Sequence, residues 1–320
     1  MLARHAESLF WCGRYLERAS YTARMLDVTY HGLLESPPSE ARQSWLDLLA
    51  VLHMRSAFEA GHDQLTAPAV SSFLVSDTTN QGAVVSSVGA ARENARSVRE
   101  LLSTEVWESI NTFWLELQTR DLGEDLEQQP YELYGLVKRR CQAVAGTAVE
   151  TMPRDDGWRF LMLGWMLERA ERTCRLLYVR YGATQAGGDR DGSHQWVGVL
   201  KAASASEAYR RQYSASFSPA HVVEFLLLSR TFPRSVFYAL RSAEDRINEL
   251  GVPGRLTRPQ RAIGRLRSDL EFRDVHELLG GDLVAFLDSV LEGVSRVTAL
   301  VGTQFFRNSE EFDLRALDIP

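Results

Sequence analysis

The sequence predicts an all-α protein: two related helical bundles packed around a pseudo-twofold and sharing a core. Three observations lead there. Apolar and small residues recur at helical spacing along most of the chain. Period-2 alternation of the strand kind is scarce. A fifteen-residue segment near the N-terminus returns 151 residues later.

Leu2, Ala6, Leu9, Gly13, Leu16, Ala23 and Tyr30 follow one another about every 3.5 residues, the buried stripe of a first helix. Ser-Pro-Pro-Ser at 36–39 ends it, and Ser39 is placed to cap a second helix running through Trp45 to Phe58. Residues 61–68 break that helix. A short apolar stretch at 70–75 and a loop of turn formers at 76–82 follow. Long helices are expected over 86–118, 131–149 and 155–181. The run 182–193 reads Gly-Ala-Thr-Gln-Ala-Gly-Gly-Asp-Arg-Asp-Gly-Ser, the most flexible connector in composition. It divides the chain into a first helical half at 1–182, a connector at 183–194, a second helical region at 195–306 and a loose polar tail at 307–320. Within the second region helices are expected near 195–211, 219–231, 234–249, 258–271 and 274–302. Pro233, Pro253 and Pro259 lie at their starts or breaks.

Composition narrows the function. The 320 residues carry 36 basic and 42 acidic side chains, a formal charge of −6, with 45% apolar residues and 24% charged. That is the make-up of an ordinary globular protein with a sizeable core. The mild acidic balance, without a basic block, argues against nucleic acid and anionic membranes as partners. No apolar run approaches the ~20 residues of a membrane span. The three cysteines, Cys12, Cys141 and Cys174, form no CxxC pair and fit a reducing, cytoplasmic compartment. Lys138 and Lys201 are the only lysines, so a lysine nucleophile has two candidates.

The repeat holds the most information. Residues 13–27 and 164–178 share eight of fifteen positions, including Gly13/Gly164 and Leu-Glu-Arg-Ala at 16–19 and 167–170. A period this long is no solenoid. Glu17 and Arg24 are seven apart, within ~20° on one helix face, and Arg14 precedes Glu17 by one turn. In the second copy Glu168 has Arg172 at i+4 and Arg175 at i+7, with Arg169 matching Arg18. An exposed pair of this kind contributes only ~0.2–0.5 kcal/mol, too little to hold the same residues in two copies. The motifs are therefore expected at a helix–helix interface, with Gly13 and Gly164 allowing close approach. A third echo, Ala91-Arg92-Glu93-Asn94-Ala95-Arg96, brings Arg92, Arg96 and Arg99 to one face that could join the same cluster. Two readings follow. The groups form an ion-pair network that sets helix register. Alternatively, paired arginines bind a carboxylate or phosphate while the glutamates orient them.

These residues carry a resemblance. Met1-Leu2-Ala3-Arg4, Ala6-Glu7, Trp11 and Gly13-Arg14-Tyr15-Leu16-Glu17-Arg18-Ala19 resemble the alpha-E family, bacterial all-helical proteins named for a Glu-Arg motif. The likeness continues through residues 91–96 with Glu93 and Asn94, Glu105, Trp107 and Asn111, the second Leu-Glu-Arg-Ala, and Phe232-Pro233-Arg234-Ser235-Val236. Where the family often has an Asn-Pro-Ser-Ser-like loop, this chain has Asn80-Gln81-Gly82-Ala83. Similar proteins are encoded beside, or fused to, circularly permuted ATP-grasp proteins. The resemblance thus implies an ATP-grasp partner and a part in forming or modifying amide bonds, with an anionic peptide-like substrate or the ligase itself bound by the Arg/Glu cluster. Two alternatives stay open: an independent helical enzyme with Glu17 or Glu168 as general base, and a purely structural adaptor. A homo-oligomer is compatible with all three.

Other chemistry is thin. No Walker loop, GxGxxG, GxSxG or HExxH occurs, so neither a cofactor nor ATP hydrolysis by this chain is expected. Glu59-Ala-Gly-His62 has the Glu-x-x-His spacing of di-iron bundles and His221-Val-Val-Glu224 reverses it. A di-iron site wants two such helices in one sense plus two more glutamates, so no metal is expected. Cys12 and Cys174 do not share the repeat's offset, which favours core roles over a paired catalytic one.

Overall fold

The computed structural model describes residues 1–35, 37–185, 193–214, 217–251 and 254–306. Among them the chain forms sixteen α-helices, two 3-10 turns and no strand. None of the described helices is long and apolar enough to cross a membrane. Contacts divide the chain into two compact units, Met1–Trp165 and Met166–Pro320. That boundary falls inside a helix, whereas the connector read from composition at 183–194 lies largely outside the described residues, as does the tail at 307–320.

The first unit holds α1 (Ala3–Glu35), α2 (Ala41–Val51), α3 (Arg55–Gly61), α4 (Ala67–Val75), α5 (Val84–Ser97), α6 (Thr104–Thr119), α7 (Leu122–Gln128), α8 (Pro130–Thr151) and the start of α9 (Asp156–Gln185). Helix α1 is its axis. Every residue from Leu16 to Leu26 is buried, so this stretch has no solvent face. Around it pack α5 and α8, which α6 joins on the outside. The second unit continues with the rest of α9, α10 (Ser193–Ala202), α11 (Ser206–Tyr213), α12 (Pro219–Leu228), α13 (Val236–Glu249), α14 (Arg258–Glu271), α15 (Val275–Gly280) and α16 (Leu283–Phe305). There α14 packs on α13 and α16, and α12 on α13 and α15.

Several expected long helices are divided, each for a local reason. The helix expected through Phe58 stops at His53, which takes φ 59°. His53 N–H donates to Ala50 O and Met54 N–H to Leu49 O, the paired bonds of a Schellman turn. The helix expected over 195–211 stops in the same way at Ser204, φ 52°, with Ser204 N–H on Lys201 O and Ala205 N–H on Leu200 O. Glycine is the usual residue there, and neither position has one, so composition gave no sign. The helix expected over 86–118 is two: α5 ends, a turn at Arg99–Leu101 intervenes, and Ser103 Oγ caps α6 by accepting from Val106 N–H. Asp121 starts α7, a helix the periodicity did not show, by accepting from Glu124 N–H. Asp282 starts α16 in the middle of the expected 274–302 helix. The apolar stretch at 70–75 belongs to α4, capped by Thr66 and carrying Pro68 in its first turn.

The helices after α9 come in the order of those after α1, their starts displaced by 151–154 residues. The six buried positions of α5 (Val84, Val85, Ser87, Val88, Ala91, Ala95) become, 152 residues on, the six of α13 (Val236, Phe237, Ala239, Leu240, Ala243, Ile247). The four of α6 (Val106, Ile110, Phe113, Leu117) become the four of α14 (Pro259, Ile263, Leu266, Leu270). Even a ring cluster returns. His62 stacks on Phe58 at 4.4 Å with Phe73 edge-on, and Tyr213 lies 4.9 Å from Tyr209 with Phe225 edge-on.

The cap on α6 gives a direct check. Ser103→Ala removes the acceptor for an otherwise orphaned first-turn amide, and we expect a loss of about 1 kcal/mol in denaturant unfolding. An unchanged midpoint would mean that water replaces the hydroxyl without loss.

Candidate functional site

The residues singled out by the repeat are where charge enters the core. On α1, Arg14 is 0% exposed, Glu17 1%, Arg18 4% and Arg24 5%. Aromatic rings line this stretch: the Arg14 guanidinium lies 5.8 Å from the Trp11 ring centre and 5.9 Å from Phe10, and that of Arg18 lies 5.5 Å from Tyr15. Glu17 accepts a hydrogen bond from the indole N–H of Trp165 on α9. Charged groups at this depth persist only with such partners, because desolvation costs several kcal/mol per ion.

The helices meet through the repeat's glycines. A Cβ on Gly13 would stand 2.1 Å from Leu161 O, and one on Gly164 would stand 1.9 Å from Phe10 O. Both contacts are to backbone, so α1 and the start of α9 touch main chain to main chain. The two contacts are also reciprocal. Phe10 and Leu161 are 151 apart, as are Gly13 and Gly164, so each glycine faces the counterpart of the residue facing the other.

In the second unit, Glu168 is 0% exposed and accepts from Arg172 Nε at 3.0 Å; Arg172 is 2% exposed. One turn on, Arg175 lies 3.6 Å from Glu171. Arg169 Nη1 donates to Pro233 O and Thr173 Oγ1 to Arg234 O, tying α9 to the segment before α13. Arg234 thus takes part through its carbonyl oxygen.

The third echo lies elsewhere. Arg92 and Arg96 both pair with Glu93, and their side chains are 26% and 64% exposed. Arg92 Nε also donates to Asn111 Oδ1 at 3.1 Å, and Asn94 bonds back to Ala90 O one turn earlier. These residues form a surface network on α5 and α6. The expectation that they join the buried charges is corrected: the α5 face that packs on α1 is the apolar one. The motif's spacing revealed a face, and the buried face was the other.

Sequence reasoning missed Trp165, Glu171 and Thr173. Trp165 stands at the repeat position of Arg14, and Thr173 matches Thr22. The alignment of the two copies carried both signals. Of the other candidates, Glu59 pairs with Arg55 on the surface and His62 stacks on Phe58. His221 stacks on Tyr213, and only its backbone N–H meets the Ser218 cap. Burial pushes the Cys12 thiol up to about 12 and raises that of Cys174 as well, so neither offers a thiolate near neutral pH.

What this arrangement can do follows from its depth. A general base must come within hydrogen-bond reach of a substrate proton. Glu17 and Glu168 are essentially unexposed and hold Trp165 and Arg172. Glu17 thereby joins α1 to α9, while the Glu168–Arg172 pair lies within α9.

A family model described as a predicted alpha-helical domain with a conserved ER motif matches residues 1–306. Uncharacterized proteins of Mycobacterium bovis and Mycobacterium tuberculosis are 27% identical over 318 residues, covering 91% of this chain and 35% of each relative. The chain thus spans about a third of the length of the curated relatives it matches. No solved structure matches it.

Proposed function

This chain belongs to the Alpha-E family, and on that premise we propose that it is a helical component of an ATP-grasp-associated system that forms or modifies amide bonds. The observation that carries this reading is the extent of the match. In the mycobacterial relatives the same helical region is 35% of a longer polypeptide, which favours a part that works with further protein. The family resemblance supplies the ATP-grasp identity of that protein. All three cysteines are free and buried, which is in keeping with the cytoplasm as the place of action.

Within this component we assign the Glu-Arg motifs to architecture. The reciprocal glycine contacts and the matching buried positions support a duplicated eight-helix unit, with a local pseudo-twofold that exchanges α1 and α9. Glu17, through Trp165, then registers that crossing, Glu168 and Arg172 neutralise each other inside α9, and the ligase partner meets an outer surface.

The test reconstitutes the purified chain with an ATP-grasp protein, a carboxylate donor, an amine and ATP. ADP release and amide product are read by mass spectrometry. We expect amide formation only with both proteins present and no turnover by this chain alone. Turnover by the chain alone would overturn the reading in favour of an independent enzyme with Glu17 or Glu168 as base. Ligase activity indifferent to the chain would overturn it too.

A further inference from the structure

The second unit carries a cleft of about 330 Å³ against α13 and α14, lined by Arg230, Phe237, Arg241, Glu244, Asp245, Arg267 and Glu271. Its floor is set by ion pairs. Arg267 Nε lies 2.5 Å from Glu244 Oε2 and also pairs with Glu271, which holds all three side chains in place. The mouth is less committed. The Arg230 side chain is 60% exposed, reaches Glu271 only at 3.4 Å, and stands 5.5 Å from the Phe237 ring centre. Arg241 and Asp245, one turn apart on α13, open into the cleft beside it.

The first unit shows that the helix pair does not require these residues. At the positions corresponding to Arg241 and Arg267 stand Gly89 and Trp114. There the indole lies so close that a Cβ on Gly89 would meet it at 2.9 Å. Glu244 and Glu271 correspond to Arg92 and Gln118. The same helix pair, with the same buried positions, thus has an indole against a glycine in one copy where the other has Arg267 and Arg241, while Arg92 and Glu93 keep charge at the positions of Glu244 and Asp245.

The lining selects a ligand class. Three arginines and three carboxylates leave the cleft neutral overall but locally divided. A simple anion meets the carboxylates, and a simple cation meets the arginines. A dipolar ligand satisfies both. The volume is at the small end of ligand sites, and the lining is almost wholly polar, with the buried Phe237 ring beneath it. We propose that this cleft binds a small zwitterion, a free α-amino acid or a dipeptide, with its carboxylate between Arg230 and Arg241 and its ammonium against Asp245. This inference stands on the cleft alone and does not depend on the ligase-component reading.

Titration calorimetry on the full chain tests it, with L-leucine, L-phenylalanine and L-leucyl-glycine as probes and N-acetyl-L-leucine and L-leucinamide as charge-blocked controls. We expect saturable binding of at least one zwitterion, at least tenfold weaker binding of both blocked forms, and at least tenfold loss in Arg241→Ala. The melting temperature of that variant should stay at the wild-type value because the residue is exposed. Tighter binding of leucyl-glycine than of leucine would identify a dipeptide, and the reverse a free amino acid. Absence of binding by all three zwitterions would overturn the proposal. So would equal binding of N-acetyl-leucine, or undiminished binding in a folded Arg241→Ala.

Discussion

Alanine at Gly164 destabilises the protein by about 3 kcal/mol, although alanine is the better helix former. The propensity gain is about 1 kcal/mol. Against it stands a Cβ placed 1.9 Å from Phe10 O and 2.8 Å from the Phe10 carbonyl carbon. These are backbone atoms of a helix whose neighbouring turns are buried, so no side chain can swing aside. Either the two helices separate, opening the packing around Leu9, Phe10 and Leu161, or α9 bends. Overpacking of a dense interior costs ~1–3 kcal/mol and sometimes more, and a contact with main chain lies at the upper end. Gly13→Ala, 2.1 Å from Leu161 O, should act alike. Each helix carries its own control, because a Cβ at Gly32 in α1 or Gly182 in α9 meets nothing within 4 Å. Alanine at those two sites should stabilise by ~0.5–1 kcal/mol. Denaturant unfolding of the four variants reads all of this. Equal behaviour of Gly13, Gly32, Gly164 and Gly182 would dispose of the close crossing.

The second large effect concerns Glu168 and Arg172. Arg172→Met removes one partner of a pair whose members are 2% and 0% exposed, and leaves a carboxylate in the core. Breaking such a pair costs about 3–5 kcal/mol, whereas replacing both members by apolar residues of similar volume is often neutral. Glu168→Leu alone should cost a similar amount, and the double variant should return towards wild-type stability. The cycle also separates the two roles weighed for the Glu-Arg motif. If the pair is only architectural, the double variant keeps the reconstituted activity as well as the fold. A stable double variant without activity would show that the charges meet a ligand, and would return the anion-binding reading to first place.

How much of this was legible in the sequence depended on whether the cause was local. Helical class was legible because a 3.6-residue period is a local signal. So was the close helix approach at Gly13 and at Gly164, because a copied segment with a glycine in the same place implies a shared steric demand. The breaks at His53 and Ser204 were not legible. They are left-handed positions without glycine, held by Schellman bonds and by packing of the next helix. The return of all eight helices was hidden too, since outside residues 13–27 and 164–178 the copies keep buried positions more than identities.

Helical class, the repeat and the identity of the charged residues at its centre could be read along the chain. Burial of the Glu-Arg motifs was expected from the repeat, but that Arg92 and Arg96 stay outside emerged only from the packing. Arg14, Arg18 and Arg24 are buried on α1, while Arg92 and Arg96 ride the outer face of α5. Charge and periodicity are written residue by residue, whereas burial is set by what the rest of the chain brings alongside.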